Sequence, residues 1–378
     1  MRRVLALCLV ASLCAACSVT VEQSSPGDRV QRDRPWGLTA ARVNASDGLR
    51  VLVLHDMEGL AGQDDPRTFR FSHPEHYARG QEMLAADINA VIDGLFAGGA
   101  TEVHVVDGHG SGNPEPDVRT DLLDPRAEQV FRDEAFDTYF DLPESAEYDA
   151  VAVVGMHAKT GSGGFASHTF TLGIEFQVHG QSITETELVA LSWGRFDVPV
   201  IFASGDDRLA ADLETMPWIE SVIVKTATSA STAELRPTEE AHADLTAAAQ
   251  RAVESLAEAQ VMKIALPVEA TIRTVPPAGL GALSGVPGID YNGDADAVTF
   301  QADTLRDAYD GWVALVGVAR TTYPRVLGEQ ISLLGLDAQL NPAYSDALFD
   351  RWVDFESGRW SPPEAPTGAS PQRGHGYR

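Results

Sequence analysis

Three apolar runs in this sequence each stop at side chains able to hold a divalent cation. Leu49–Leu54 leads into His55-Asp56-Met57-Glu58, Glu102–Val106 into Asp107-Gly108-His109, and Ala150–Met156 into His157. Asp56 and Glu58 are two residues apart, so in extended backbone both carboxylates face one side and Met57 the other. Adjacent carboxylates with no Lys or Arg beside them repel, and a divalent cation relieves that repulsion. The same pair would also suit a solvated acidic turn before Gly59. Asp107 and His109 repeat the spacing, with Asp107 placed to orient the His109 ring, as outer partners do for zinc-bound imidazoles. His157 ends a run apolar enough for a satisfied core histidine. His168 sits in a Gly/Ser-rich segment. Glu185 falls in the first turn of a predicted helix, where complementing the helix dipole is its plainer role. Each signal is weak alone. Acids and imidazoles gathered at three strand ends are what a two-metal hydrolase requires.

The elements that must position these groups are legible from periodicity. Short unbroken Val/Leu/Ala runs read as parallel strands buried on both faces, and ligands collect outside the carboxyl ends of such strands in open sheets. Further strands are predicted over Asp197–Ala203 and Ile219–Val224. A helix is predicted from about Ser72 to Phe96, where Leu84, Ile88, Val91, Ile92 and Leu95 keep helical spacing. Others are predicted over Thr184–Phe196, opened by the capping-box pair Thr184 and Glu187, and over Thr238–Gln260. The alternation specifies an α/β fold with a doubly wound, mostly parallel sheet. From Lys263 the pattern changes to strands over Ala270–Val275 and Ala297–Phe300 and a helix over Thr304–Arg320, a smaller C-terminal α+β unit. His55, His104 and His179 fit the site less well, His73 and His76 belong to a helix start, and His375 lies in the tail.

The expected organisation is a signal segment (1–17), a flexible tether (18–48), a metal-binding catalytic domain (49–261), a smaller domain (262–335), a helical extension (336–360) and a disordered tail (361–378). Arg2 and Arg3 precede an apolar stretch too short to span a membrane as a stable helix. Cys17 after Leu13-Cys14-Ala15-Ala16 resembles a bacterial lipoprotein signal, with cleavage after Ala16 as an ordinary secretory signal the alternative. Either implies export to the cell envelope or periplasm, with membrane attachment through a lipidated Cys17 in the first case. All three cysteines (Cys8, Cys14, Cys17) lie here, so a metal in the mature chain must be held by His, Asp and Glu. With 28 basic and 55 acidic residues, the net charge of −27 repels phosphate backbones and argues against a nucleic-acid partner.

As a set, Asp-Met-Glu-Gly (56–59), Asp-Gly-His (107–109), Gly-Met-His-Ala (155–158), Ser-His (167–168) and Gly-Asp-Asp (205–207) resemble the bacterial D-aminopeptidase family of dinuclear zinc metallopeptidases. The resemblance runs from about Leu49 to Arg320. It implies that Asp56 bridges two zinc ions and that Glu58, His109, His157 and Glu185 complete the ligand set. Counting back from Asp197-Val198-Pro199-Val200 selects Glu185 rather than Glu187. It implies that His168 is the catalytic histidine, as acid/base or nucleophile, and that the chain forms a ring-like homo-oligomer. His55 stands where that family more usually has a small or apolar residue, and the N-terminal segment and the stretch past Arg320 are additions.

The reading that follows is a zinc aminopeptidase that cleaves short peptides with an N-terminal D-residue, such as D-alanyl peptides, through a metal-bound hydroxide. Two other classes share parts of the pattern. One is a two-metal phosphoesterase, disfavoured because Lys159 is the main cation near the motifs. The other is a non-catalytic peptide-binding lipoprotein, which leaves the strand-end clusters unexplained.

Overall fold

Val51 and Val53 point to one face of their strand, Leu52 and Leu54 to the other, and all four are fully buried. A strand with no solvent face must sit inside a sheet covered on both sides. A computed structural model of the chain describes residues 35–42, 48–110, 116–131, 137–334 and 340–361. The signal segment with Cys17, most of the tether and the tail with His375 lie outside the described residues.

In chain order the strands are β1 (Trp36–Ala40), β2 (Arg50–His55), β3 (Glu102–Asp107), β4 (Glu128–Gln129), β5 (Ala150–Val154), β6 (Ile174–Val178), β7 (Gln181–Ser182), β8 (Val200–Asp206), β9 (Glu220–Ser229), β10 (Thr232–Leu235), β11 (Gln260–Ile264), β12 (Val268–Thr274), β13 (Tyr291–Asn292) and β14 (Ala297–Ala302). The helices are α1 (Pro74–Gly98), α2 (Asp141–Ser145), α3 (Glu185–Gly194), α4 (Asp207–Asp212), α5 (Thr238–Glu254), α6 (Leu305–Ala319), α7 (Tyr323–Leu334) and α8 (Leu340–Glu356). The main sheet has seven strands in the order β10-β9-β8-β5-β2-β3-β4, parallel throughout except for the antiparallel edge strand β10. Helices α1 and α5 cover one face through Leu84, Ile88 and Leu95 against Leu245, Ala249 and Val253. On the opposite face lie α3, α6 and a second, antiparallel sheet ordered β13-β14-β12-β6-β7.

The fold class expected from periodicity is present. The second sheet, however, recruits β6 and β7 from between the site motifs, pairing Ile174 with Thr274 and Phe176 with Ile272. Within the stretch read as a tether, Trp36 is buried in the core and β1 pairs antiparallel with β11. Past α6, where one terminal helix was expected, there are two, α7 and α8. Among the described residues no helix is long and apolar enough to cross a membrane.

Candidate metal centre

The parallel register sets the site. His55 pairs with Asp107 on one side and Val154 on the other, so β2, β3 and β5 end level and release their motifs at one sheet edge. Asp56 extends the ladder by one bond, its amide donating to the Val154 carbonyl at 2.8 Å. The chain then turns, and the Gly59 amide donates to the Gly155 carbonyl at 2.7 Å. A Cβ on Gly59 would stand 1.9 Å from the Met156 oxygen, which is why the first motif ends in glycine. Met57 enters the core while both flanking carboxylates line a cavity of about 630 Å³. The two-residue spacing acts as expected.

Two clusters of donors meet at this edge: Asp56, Glu58 and His109 form one, and His157, His168 and Glu185 the other. In the first, His109 Nε2 lies 3.4 Å from Glu58 Oε1. In the second, His157 Nε2 is 3.3 Å from Glu185 Oε1. The same nitrogen lies 3.3 Å from Asp56 Oδ2, so Asp56 borders both clusters. All six residues named from the sequence are thus brought together.

Each imidazole is oriented by its other nitrogen. His157 Nδ1 donates to the Ala158 carbonyl (2.9 Å) and His168 Nδ1 to the Ala166 carbonyl (2.7 Å). His109 Nδ1 donates to Asp117 Oδ2 at 2.6 Å. This corrects the role expected for Asp107, whose two oxygens accept from the amides of His109 and Asp117, both at 2.9 Å. Asp107 therefore shapes the loop, and Asp117 holds the ring. Tyr139 Oη and the Phe170 amide (2.6 Å) donate to the Glu185 carboxylate. Thr184 caps α3 through the predicted pairing with Glu187 and so presents Glu185 at the helix start. Asp117, Tyr139 and Phe170 were not anticipated; the only signal was that Asp117 is an acid in the Gly/Pro/Asp-rich loop after His109. Asp206, of the Gly-Asp-Asp motif, accepts from the Phe165 amide (2.7 Å) and from the first amides of α4, which anchors the segment leading to His168.

Burial pushes the Asp56 carboxyl up to about 6, and the charge of Glu58 adds to it. Burial also acts to raise Glu58 and Glu185, but His109 and His157 respectively outweigh it and hold them down. Both of these rings are held well above the ordinary value: burial opposes the charge, but the surrounding carboxylates prevail. His168 goes the other way, lowered to about 4 by burial and by the charge of the His157 ring stacked on it at 3.9 Å.

The donor set fits a tetrahedral divalent cation. Nitrogen and oxygen ligands at about 2.0–2.1 Å from one zinc lie roughly 3.3 Å from each other. The three nitrogen–oxygen separations are 3.3, 3.3 and 3.4 Å, longer than tight charge-assisted hydrogen bonds. The buried His157 Nε2 has no hydrogen-bond partner among the described residues and faces the carboxylate oxygens of Asp56 and Glu185.

A profile of the D-aminopeptidase family matches residues 49–314. The chain belongs to the D-aminopeptidase family. It is an enzyme of the metallopeptidase class, which sets aside the phosphoesterase and the non-catalytic lipoprotein. It is 27% identical over 280 residues to a D-aminopeptidase of Bacillus subtilis (strain 168), covering 72% of this chain and 99% of that one. The solved structure of a zinc-dependent D-aminopeptidase from Bacillus subtilis, described as a self-compartmentalizing protease, superposes with a TM-score of 0.64 at 23% identity. That match spans 72% of this chain and 98% of the other and shows a shared fold. Of the other described histidines, none belongs to either donor cluster. His104 pairs with Tyr148 and Glu102, and His179 with the Ala265 carbonyl. His73 precedes α1 and His76 lies in its first turn, as expected. His55 is buried behind Asp56, with neither ring nitrogen hydrogen-bonded. Lys159 is tied to Asp212 and the Ser182 carbonyl.

Proposed function

We propose that this protein is a zinc-dependent aminopeptidase that removes an N-terminal D-residue, such as D-alanine, from short peptides. The observation that carries the proposal is the meeting of two donor clusters at Asp56 in a family member. Asp56, Glu58 and His109 would hold one zinc, and His157, Glu185 and the shared Asp56 a second. When bound, such a pair supplies Lewis acidity that lowers the pKa of water and polarises the scissile carbonyl.

The chain's own residues do the rest. Both His157 and His109 have their far nitrogens fixed, so each presents only Nε2 to the cage. His168 donates Nδ1–H to Ala166, which leaves Nε2 with a lone pair on the cavity wall. It is placed to accept a proton from the attacking water and return it to the departing amine. Glu185, pinned by Tyr139 and Phe170, cannot swing toward the substrate. Phe69, Phe170, Leu172 and Phe349 form apolar walls suited to small side chains and to excluding bulk water.

The signal-like N-terminus supports export and lipid anchoring at Cys17, and peptides released from the cell wall would then be the source of substrate. The self-compartmentalizing relative supports a homo-oligomer.

The test joins elemental analysis with hydrolysis of D- and L-alanyl dipeptides. Two zinc ions per chain and cleavage confined to the D-series are expected. His168→Ala should keep both ions and lose roughly 10²–10⁴ in kcat. A variant that loses one zinc along with activity would instead make His168 a ligand of the His157 cluster, whose geometry admits it.

A further inference from the structure

The site described so far lies in the family-matched region, yet part of its cavity does not. Arg320, Tyr323, Tyr344, Ser345, Leu348 and Phe349 line the same cavity as Asp56 and His168, and all follow residue 314, where the family match stops. The described residues at the start of this stretch and in α8 are packed down, not merely adjacent. Tyr323 Oη donates to the Leu172 carbonyl at 2.9 Å, and Thr322 Oγ1 to the Pro277 carbonyl at 2.7 Å. Phe349 packs against Phe69 with the rings tilted and their centroids 6.0 Å apart, and Trp352 is wholly buried.

Two guanidinium groups line this otherwise acidic cavity, and their situations differ. Arg70 is engaged: it pairs with Asp346 at 3.0 Å and lies over the Phe349 ring at 4.7 Å. Arg320, at the C-terminal end of α6, is exposed and makes no salt bridge among the described residues. Its guanidinium carbon sits 5.6 Å from the Tyr323 ring centroid, and its charge also acts on the Tyr344 phenol. The Tyr344 hydroxyl has no hydrogen-bond partner among the described residues. A free cation and a free phenol in one corner of a peptide-sized cavity form a receptor for a carboxylate.

We propose that Arg320, with Tyr344, binds the free C-terminal carboxylate of a short peptide whose other end lies at the metal centre. The C-terminal helices thereby set the substrate's length. The proposal rests on the aminopeptidase reading and adds a specificity determinant that the family-matched region does not contain. A longer peptide would have to carry its carboxylate past a wall closed by α8.

The experiment compares D-Ala-D-Ala with its C-terminal amide on the zinc-loaded full chain, for wild type and Arg320→Gln. Wild type should favour the free acid. Arg320→Gln should raise KM for the acid roughly tenfold to a hundredfold, leave kcat within about twofold and leave the amide unchanged, and Arg320→Lys should restore part of the preference. Equal use of acid and amide by wild type, or equal losses on both substrates in the variant, would overturn the proposal. If wild type cleaved no D-alanyl substrate, the aminopeptidase reading would fail. Calorimetric titration of acid against amide would still report on Arg320, and equal affinities there would overturn its role.

Discussion

The two halves of the donor cage are built differently. In the Asp56/Glu58/His109 half, the imidazole is backed by a carboxylate, Asp117, which itself accepts from Tyr77. In the His157/His168/Glu185 half, both imidazoles are backed by neutral carbonyls. The supports beneath them differ as well. The first half rests on the helical face of the sheet. Lys225 Nζ, fully buried, donates to the Glu58 carbonyl at 2.6 Å and to Gln63 at 2.7 Å, and Gln63 in turn donates to the Met57 carbonyl at 2.6 Å. The second half rests on the α3 N-terminus and on the loop tied down by Asp206. A carboxylate behind an imidazole raises its basicity as a ligand. The first half also carries more negative charge, so it should hold its cation more tightly. The second half contains the candidate proton carrier, where a looser hold on surrounding groups serves proton movement.

Removing the residue the halves share should erase the contrast. Asp56→Ala is expected to lose both ions and to lower kcat/KM by on the order of a thousandfold or more, measured by elemental analysis and dipeptide hydrolysis. Retention of one stoichiometric zinc would show that Asp56 serves one half only. Asp117→Asn should sharpen the contrast instead. It keeps a hydrogen-bonding group against His109 but removes the charge, and should weaken the first half by roughly 10–100-fold while sparing the second. In a chelator titration the order of release should then reverse. Simultaneous release in wild type and variant alike would mean that the halves are not independently braced.

The same contrast governs what the sequence disclosed. The main sheet was legible because Val51–Leu54 and Ala150–Val154 are buried on both faces and carry no polar interruption. The candidate donors Asp56, Glu58, His109 and His157 were legible because each comes within a few residues of the end of such a run, whereas Glu185 was reached only through the family resemblance, Thr184 and Glu187 marking no more than the start of α3. Supports that depend on distant partners were not. Asp117 meets His109 from eight residues away, and Tyr139 reaches Glu185 across 46 residues of sequence. β6 looks like a strand only once β12, about a hundred residues later, lies beside it. Helix α7 was not expected from the sequence; its Pro324 sits in the first turn, where the missing N–H costs nothing.

The smallest expected effect probes the helical support of the first half through pH. The Ala61 amide, just past the Glu58 turn, donates to Asp87 Oδ2 at 2.8 Å, and His242 on α5 holds Asp87 Oδ1 at 2.9 Å. That bond raises the His242 pKa above its ordinary 6.5. Its stabilisation is therefore fully present below 6.5 and fades as pH climbs through the raised folded-state value. Lys225 contributes the opposite slope. Burial lowers it from 10.5 to about 7, so between those values the unfolded chain binds the extra proton and stability rises with pH. Net stability would mix the two trends, whereas the difference between wild type and His242→Gln cancels the lysine. That difference, from urea unfolding at fixed zinc, should be on the order of 0.5 kcal/mol at pH 6, allowing for the partial exposure of His242, and approach zero by about pH 9. A difference constant with pH would show that the clamp on the Asp56–Ala61 turn is a neutral hydrogen bond. The first half would then owe its rigidity to Lys225 and Gln63 alone.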